Sequence, residues 1–265
     1  MPEISPHAIV EPTAEVADDV AIGPFCYVGP RVRIGSGCRI ANNVTLLGHT
    51  TLGQRTEVFP MSVIGAAPPG AGEADGQCVL GEANAIREHV TIYAGADKPT
   101  RIGNHNLIMI ASQIDPGAQL GDHGIFDNCT KIGASAIIED YVRMSGFAAV
   151  ADGARVGAYS FVAGYAGVQN DAPPYAMLQG FPVRVRGLNT RNLKACGFGE
   201  QDIHALKAAF RELFNGRGVE VKRDALDRLA REANVNPYVR KLTDALKAAA
   251  TKAAARAGAQ DGQDD

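Results

Sequence analysis

The 265-residue chain carries 26 Lys and Arg against 29 Asp and Glu, a formal net charge of −3, with 46% hydrophobic residues. That balance lacks the basic footprint of a nucleic-acid binder, and no apolar run reaches the ~18 residues of a membrane span. Five scattered cysteines, Cys26, Cys38, Cys78, Cys129 and Cys196, are odd in number and lack paired metal spacing, which points to reduced thiols and a cytoplasmic setting.

From Ile4 a small aliphatic recurs at every sixth position through Val10, Val16, Ile22 and onward to Ile64. It resumes at Leu80, Ile86 and Ile92, and again from Ile102 through Ile108, Ile114, Leu120 and Phe126 to Val168. A period of six fits neither a helix of 3.6 nor a strand of 2. It is the hexapeptide signature of a parallel β-helix, in which three hexads close one triangular coil of about eighteen residues. The expected fold is mainly β, a left-handed parallel β-helix followed by a C-terminal α-helical domain. The 26 in-phase positions make eight to nine coils. Glycine often follows the repeated aliphatic, as at Gly23, Gly53, Gly103, Gly121 and Gly133. It is read as easing a sharp bend where φ is positive.

In chain order, the first coil near Pro2, Pro6 and Pro12 is an end cap, and its polar start lacks the apolar core of a signal peptide. The β-helix is expected over residues 1–185, with loop insertions near 65–79 (Pro68, Pro69, Gly70) and 94–101 (Gly95, Asp97, Lys98, Pro99). In solenoids such insertions map to one face and often carry the binding site. The coils close at Asp171, Pro173, Pro174 and Tyr175. Helical spacing follows: Ile203, Leu206, Phe210 and Leu213, then Leu226 and Leu229, then Val239, Leu242 and Leu246. A helical domain is expected over 186–256, with a disordered, acidic tail over 257–265.

Several stretches carry a family resemblance. They are Ile22-Gly23-Pro24-Phe25-Cys26, Gly48-His49-Thr50, Ile86-Arg87-Glu88, Asp171-Ala172-Pro173-Pro174-Tyr175 with Gln179-Gly180, and Gly187-Leu188-Asn189 with Leu193-Lys194. Over roughly residues 5–215 the chain resembles the bacterial UDP-N-acetylglucosamine acyltransferases that begin lipid A synthesis. The resemblance implies a homotrimer with clefts between subunits, and acyl carrier protein and a UDP-sugar as partners. It sets Gly164 at the acyl-chain ruler, where a glycine leaves the cleft long, and Gln179 and Asn189 at ligand-contacting or backbone-supporting positions.

The family's histidine motif is not kept. In Ala111-Ser112-Gln113-Ile114-Asp115-Pro116-Gly117, Gln113 stands at the first histidine and Pro116 at the second, the general base. Further family histidines fall on Tyr93, Ala134 and Ala151, and the nucleotide-holding arginine falls on Ala195. Proline cannot accept a proton, and general-base catalysis contributes typically about 10²–10⁴-fold. His123, about one hexad beyond Pro116, and Asp115 are the candidate replacement bases. Both also read as ordinary turn residues. No cofactor is called for, and the three-histidine metal set of the β-helical carbonic anhydrases has no counterpart here. Two readings remain open: a catalytically degenerate or repurposed homologue that binds an acyl or nucleotide-sugar ligand or a protein, and an active acyltransferase with a relocated base.

Overall fold

The computed structural model describes residues 1–71, 76–214, 221–232 and 236–261, without the side chains of 256–261. Each hexad contributes a strand of two residues on most coils, and the strands stack in parallel into three faces. The first face runs through Ala21–Ile22, Arg39–Ile40, Glu57–Val58, Ala85–Ile86 and Leu107–Ile108. The second runs through Thr45–Leu46, Val63–Ala66, Thr91–Tyr93 and Gln113–Ile114, and the third through His49–Leu52, Gln77–Leu80, Thr100–Ile102 and Gln119–Leu120. The second face has nine strands and the third eight, in line with the coils expected from the repeat.

One residue of each pair points inward and meets its equivalent one coil away. On the first face Ile86, Ile108, Phe126 and Met144 pair in register, and all are at most 1% exposed. A coil cannot bury its own interior, so the neighbours supply the core. The regular step along the second face, as from Ile114 to Ile132, is 18 residues. From Ile64 to Ile92 it is 28, and from Ile92 to Ile114 it is 22. The excess leaves the stack between Ala66 and Gln77, where 72–75 lie outside the described residues, and between Tyr93 and Thr100; both stretches are shorter than the sequence suggests because Val63–Ala66 and Gln77–Leu80 run further into the first insertion and Thr100–Ile102 into the second.

The glycines after the repeated aliphatics do something other than expected. Most of the positive φ values at the corners belong to other residues: Ala83, His105, His123, Tyr141, Tyr159 and Tyr175 on the third corner alone. L-residues pay roughly 1–2 kcal/mol to enter that region. The glycines instead make room. A Cβ at Gly103 would run into Asp122 Oδ1, and one at Gly121 into Asp140 Oδ1. Those same oxygens accept backbone N–H groups of the previous coil, Asn104 N at 2.6 Å and Asp122 N at 2.8 Å. A missing side chain on one coil admits an Asx clasp from the next.

The last strands, Ala176–Gln179 and Arg184–Leu188, pair antiparallel and close the stack. Among the described residues four helices follow: α1 (Thr190–Ala195), α2 (Glu200–Leu213), α3 (Arg223–Arg231) and α4 (Pro237–Asp261). Their apolar stripes, Ile203/Leu206/Phe210/Leu213, Leu226/Leu229 and Val239/Leu242/Leu246, are buried. Helix α4 continues past residue 257, where the sequence reading begins its disordered tail; residues 262–265 of that tail lie outside the described residues. It is tied to the coils by Lys252 Nζ, 2.6 Å from Asp171 Oδ1 and 2.8 Å from the Gly153 carbonyl. No helix among the described residues is long and apolar enough to cross a membrane.

Candidate functional site

Pro116 sits on the second corner, where the chain turns from the second face to the third. Gly117 after it takes φ +72°, a conformation glycine enters at no steric cost. The turn is held on both sides: Gly117 N donates to Thr100 Oγ1 at 2.9 Å, and the Pro116 carbonyl accepts Ser135 N at 2.9 Å. Both loops leave the stack at this corner. Gln77 and Gly95 exchange two backbone hydrogen bonds of 2.9 and 3.1 Å, which joins the second loop to the strand that ends the first.

The described parts of the loops and the corner border an open cavity of about 530 Å³. Of the thirteen described residues that line it, ten are Ala, Gly or Pro, among them Ala67, Pro68, Ala94, Pro116 and Ala134; the others are Asp97, Lys98 and Ser135. None of the six histidines is among the described residues that line it. Among the described residues no group of three or more His, Cys, Asp or Glu could hold a metal ion.

The candidate bases lie elsewhere. His123 is on the third corner, with φ 58°, and its ring stacks between His105 at 5.0 Å and Tyr141 at 4.7 Å. The column continues to Tyr159 at 4.9 Å and reaches Phe198 of the helical region edge-on at 4.9 Å. Asp115 is next to Pro116, but its carboxylate is engaged on the second face. Gln113 Nε2 donates to it at 2.6 Å and Lys131 Nζ lies 3.5 Å away. Its side chain is 14% exposed.

The three residues taken as ligand-binding also separate. Gly164 is exposed on the first corner beside Tyr165, itself 75% exposed and stacked on Phe147 at 5.1 Å. Gln179 is exposed at the antiparallel closing pair, opposite Arg184. Asn189 is 6% exposed and caps α1: its side chain accepts from Asn192 N, and its Nδ2 donates to the Tyr159 carbonyl at 2.9 Å. Lys98 and Ser135, which line the cavity, were not singled out as binding residues in the sequence. Ser135 lies 18 positions after Gly117, one full coil, and that spacing was the available signal. Burial pushes the Cys78 thiol up to about 12 and raises the Tyr175 phenol as well, so neither is poised as a nucleophile or base near neutrality.

A family model described as "Udp N-acetylglucosamine O-acyltransferase; Domain 2" matches residues 171–255, and one described as "GMPPB C-terminal domain" matches 4–102. An acyl-(acyl-carrier-protein)–UDP-N-acetylglucosamine O-acyltransferase of Thermodesulfovibrio yellowstonii is 37% identical over 254 residues, covering 94% of this chain and 97% of its own length. The protein of the same name from Akkermansia muciniphila is 46% identical over 234 residues, covering 86% and 90%. The crystal structure of LpxA from Acinetobacter baumannii superposes with a TM-score of 0.85 at 30% identity, over 92% of this chain and 96% of that one. At that identity and coverage, with the same coils and the same helical end, the chain belongs to the UDP-N-acetylglucosamine O-acyltransferase family.

Proposed function

We propose that this chain is a member of that family that has lost acyl transfer to the sugar and has kept the scaffold as a ligand- or partner-binding protein. The observation that carries this reading is the lining of the cavity at Pro116, where ten of the thirteen described residues are Ala, Gly or Pro. A general base must come within hydrogen-bond reach of the hydroxyl it activates. Pro116 and Ala134 have no proton-accepting side chain. Asp97 and Lys98 line the cavity at its exposed rim. The protein is expected to act as a cytoplasmic homotrimer. The exposed apolar edge formed by Phe25, Met61, Phe147 and Tyr165 supports association of copies.

The relatives are named for acyl carrier protein and UDP-N-acetylglucosamine, so those substrates form the test. The purified chain is incubated with hydroxyacyl carrier protein and UDP-N-acetylglucosamine beside a histidine-bearing relative and the Gln113→His, Pro116→His double variant. Turnover at least about 10²-fold below the relative is expected, the lower bound of a general-base contribution. Wild-type turnover within tenfold of the relative sinks the reading. The alternative, a working transferase with a relocated base, draws on the position of Asp115 beside Pro116. It requires that Asp115→Asn abolish whatever turnover is found.

A further inference from the structure

A second cavity, of about 310 Å³, lies where α2 packs against the closing strand Arg184–Leu188. Its floor is apolar, with Val185, Phe210 and Phe214 all buried. Three exposed cations stand around it, Arg186 from the strand and Lys207 and Arg211 from α2. Thr190, at the start of α1, adds a hydroxyl to the same lining. None of these residues lines the cavity at Pro116.

The three cations have no counter-charge beside them. No carboxylate is among the described residues that line the cavity, and none of the three makes an ion pair among the described residues. The acids of α2 are engaged elsewhere or distant. Asp202 Oδ1 accepts Asn236 Nδ2 at 2.7 Å, and Glu212 pairs with Arg228. Glu200 lies two turns before Lys207, about 10 Å along the helix axis, which is about a Debye length at 0.1 M salt. The six residues 215–220, outside the described residues, hold one arginine and one glutamate and add no net charge. Lys207 and Arg211 are four positions apart and share one face of α2, a spacing at which like charges destabilise a helix. An anion seated between them and Arg186 removes that repulsion and joins the helix to the strand. Three cations from two elements call for more than one negative charge and several acceptor oxygens. A phosphate group brings both, and guanidinium N–H pairs match its oxygens; a carboxylate brings a single charge.

We propose that this cavity binds a phosphate group, as the free ion or as a phosphomonoester, held by Arg186, Lys207 and Arg211, and that the bound group clamps α2 to the closing strand pair. The site stands whether or not acyl transfer at Pro116 has been lost. The test is calorimetric titration of the full chain with inorganic phosphate, glycerol 3-phosphate and acetate, each at an ionic strength held constant with sodium chloride. Binding is expected in at least one of the phosphate arms, and the acetate arm is expected to stay flat. Arg186→Met and the Lys207→Met, Arg211→Met double variant keep the aliphatic stems. Each is expected to weaken binding at least about tenfold, the loss of a charge-assisted hydrogen bond. Arg39→Met, which removes the same charge from an exposed position on the first face, is expected to change nothing. All four positions are exposed, so circular dichroism is expected to match the wild type throughout. Phosphate is expected to raise the melting temperature of the wild type and to leave that of the double variant where it was.

A response to inorganic phosphate alone assigns the site a free ion; a response to glycerol 3-phosphate, with or without the free ion, assigns it an esterified group. Silence in both arms overturns the inference. So does acetate binding as tight as phosphate, or an equal loss in Arg39→Met, since either reduces the effect to general attraction of anions. Binding that survives Arg186→Met while the double variant abolishes it removes the strand from the site and overturns the clamp.

Discussion

The second and third corners are built by the same repeat around the same interior, yet they carry opposite cargo. The third holds a column of rings, His105, His123, Tyr141 and Tyr159, spaced 4.7 to 5.0 Å and ending on Phe198. The second holds Pro116, Gly117 and Ala134 beside a cavity. On the third corner the histidines stack: each ring covers the next coil's ring and offsets part of the cost of a positive φ. On the second corner Pro116, Gly117 and Ala134 offer no ring column, and none of the six histidines is among the described residues that line the cavity. A histidine in a solenoid is therefore no sign of chemistry until its corner is known.

Emptying the shared interior should damage both corners at once and give the largest effect. Phe126 is 1% exposed and pairs with Ile108 and Met144. Phe126→Ala is expected to cost about 3–5 kcal/mol by denaturant unfolding, from lost transfer and a residual cavity. It should also abolish any ligand binding at Pro116. A loss below 1 kcal/mol would mean that the stack tolerates a gap, and that the two corners do not depend on one core.

The next experiment breaks the second corner alone. Gly95→Val places a branched side chain against the Lys98 carbonyl and Gly117. Overpacking of this kind costs about 1–3 kcal/mol. The third-corner column should survive, with near-ultraviolet circular dichroism of the stacked tyrosines unchanged. The converse is His123→Ala, which removes two ring contacts while leaving the cavity intact. Each such pair contributes about 0.5–1.5 kcal/mol, discounted here for exposure, so a loss near 1 kcal/mol is expected. Any wild-type activity should be unaffected. A collapse of activity in His123→Ala would restore that residue as a base candidate.

The step of six explains both the success and the failure of reading this chain unaided. Ile86, Ile108 and Phe126 announce the coil because an inward aliphatic every sixth residue has no other use. Within one chain the same arithmetic separates His123 from Pro116. One hexad is one face of the prism, so a residue a hexad beyond Pro116 lies on the next corner. Only 18 residues return to the same one, as Ser135 does to Gly117. The glycines were legible as necessary but not as to why. That Gly103 admits Asp122 from the following coil depends on the register between coils, and no local window contains it. Lys98 was visible within an insertion, but its approach to Ser135 beside Gly117 requires the two loops to be folded onto one corner.

The smallest expected effect tests how the second corner meets the helices. Lys252 of α4 binds Asp171 at 2.6 Å and the Gly153 carbonyl at 2.8 Å, and Gly153 occupies the second corner one coil beyond Ser135. The lysine side chain is 37% exposed and Asp171 13%, so solvent screens the pair only in part. Lys252→Met keeps the aliphatic stem and removes the charge. The expected loss is below about 1 kcal/mol, the usual range for a pair that water can reach. Amide exchange should quicken in the second half of α4 and stay unchanged in the coils. If exchange also quickens around Gly117 and Ser135, the helix braces the cavity wall, and the second corner, unlike the third, draws its rigidity from outside the repeat.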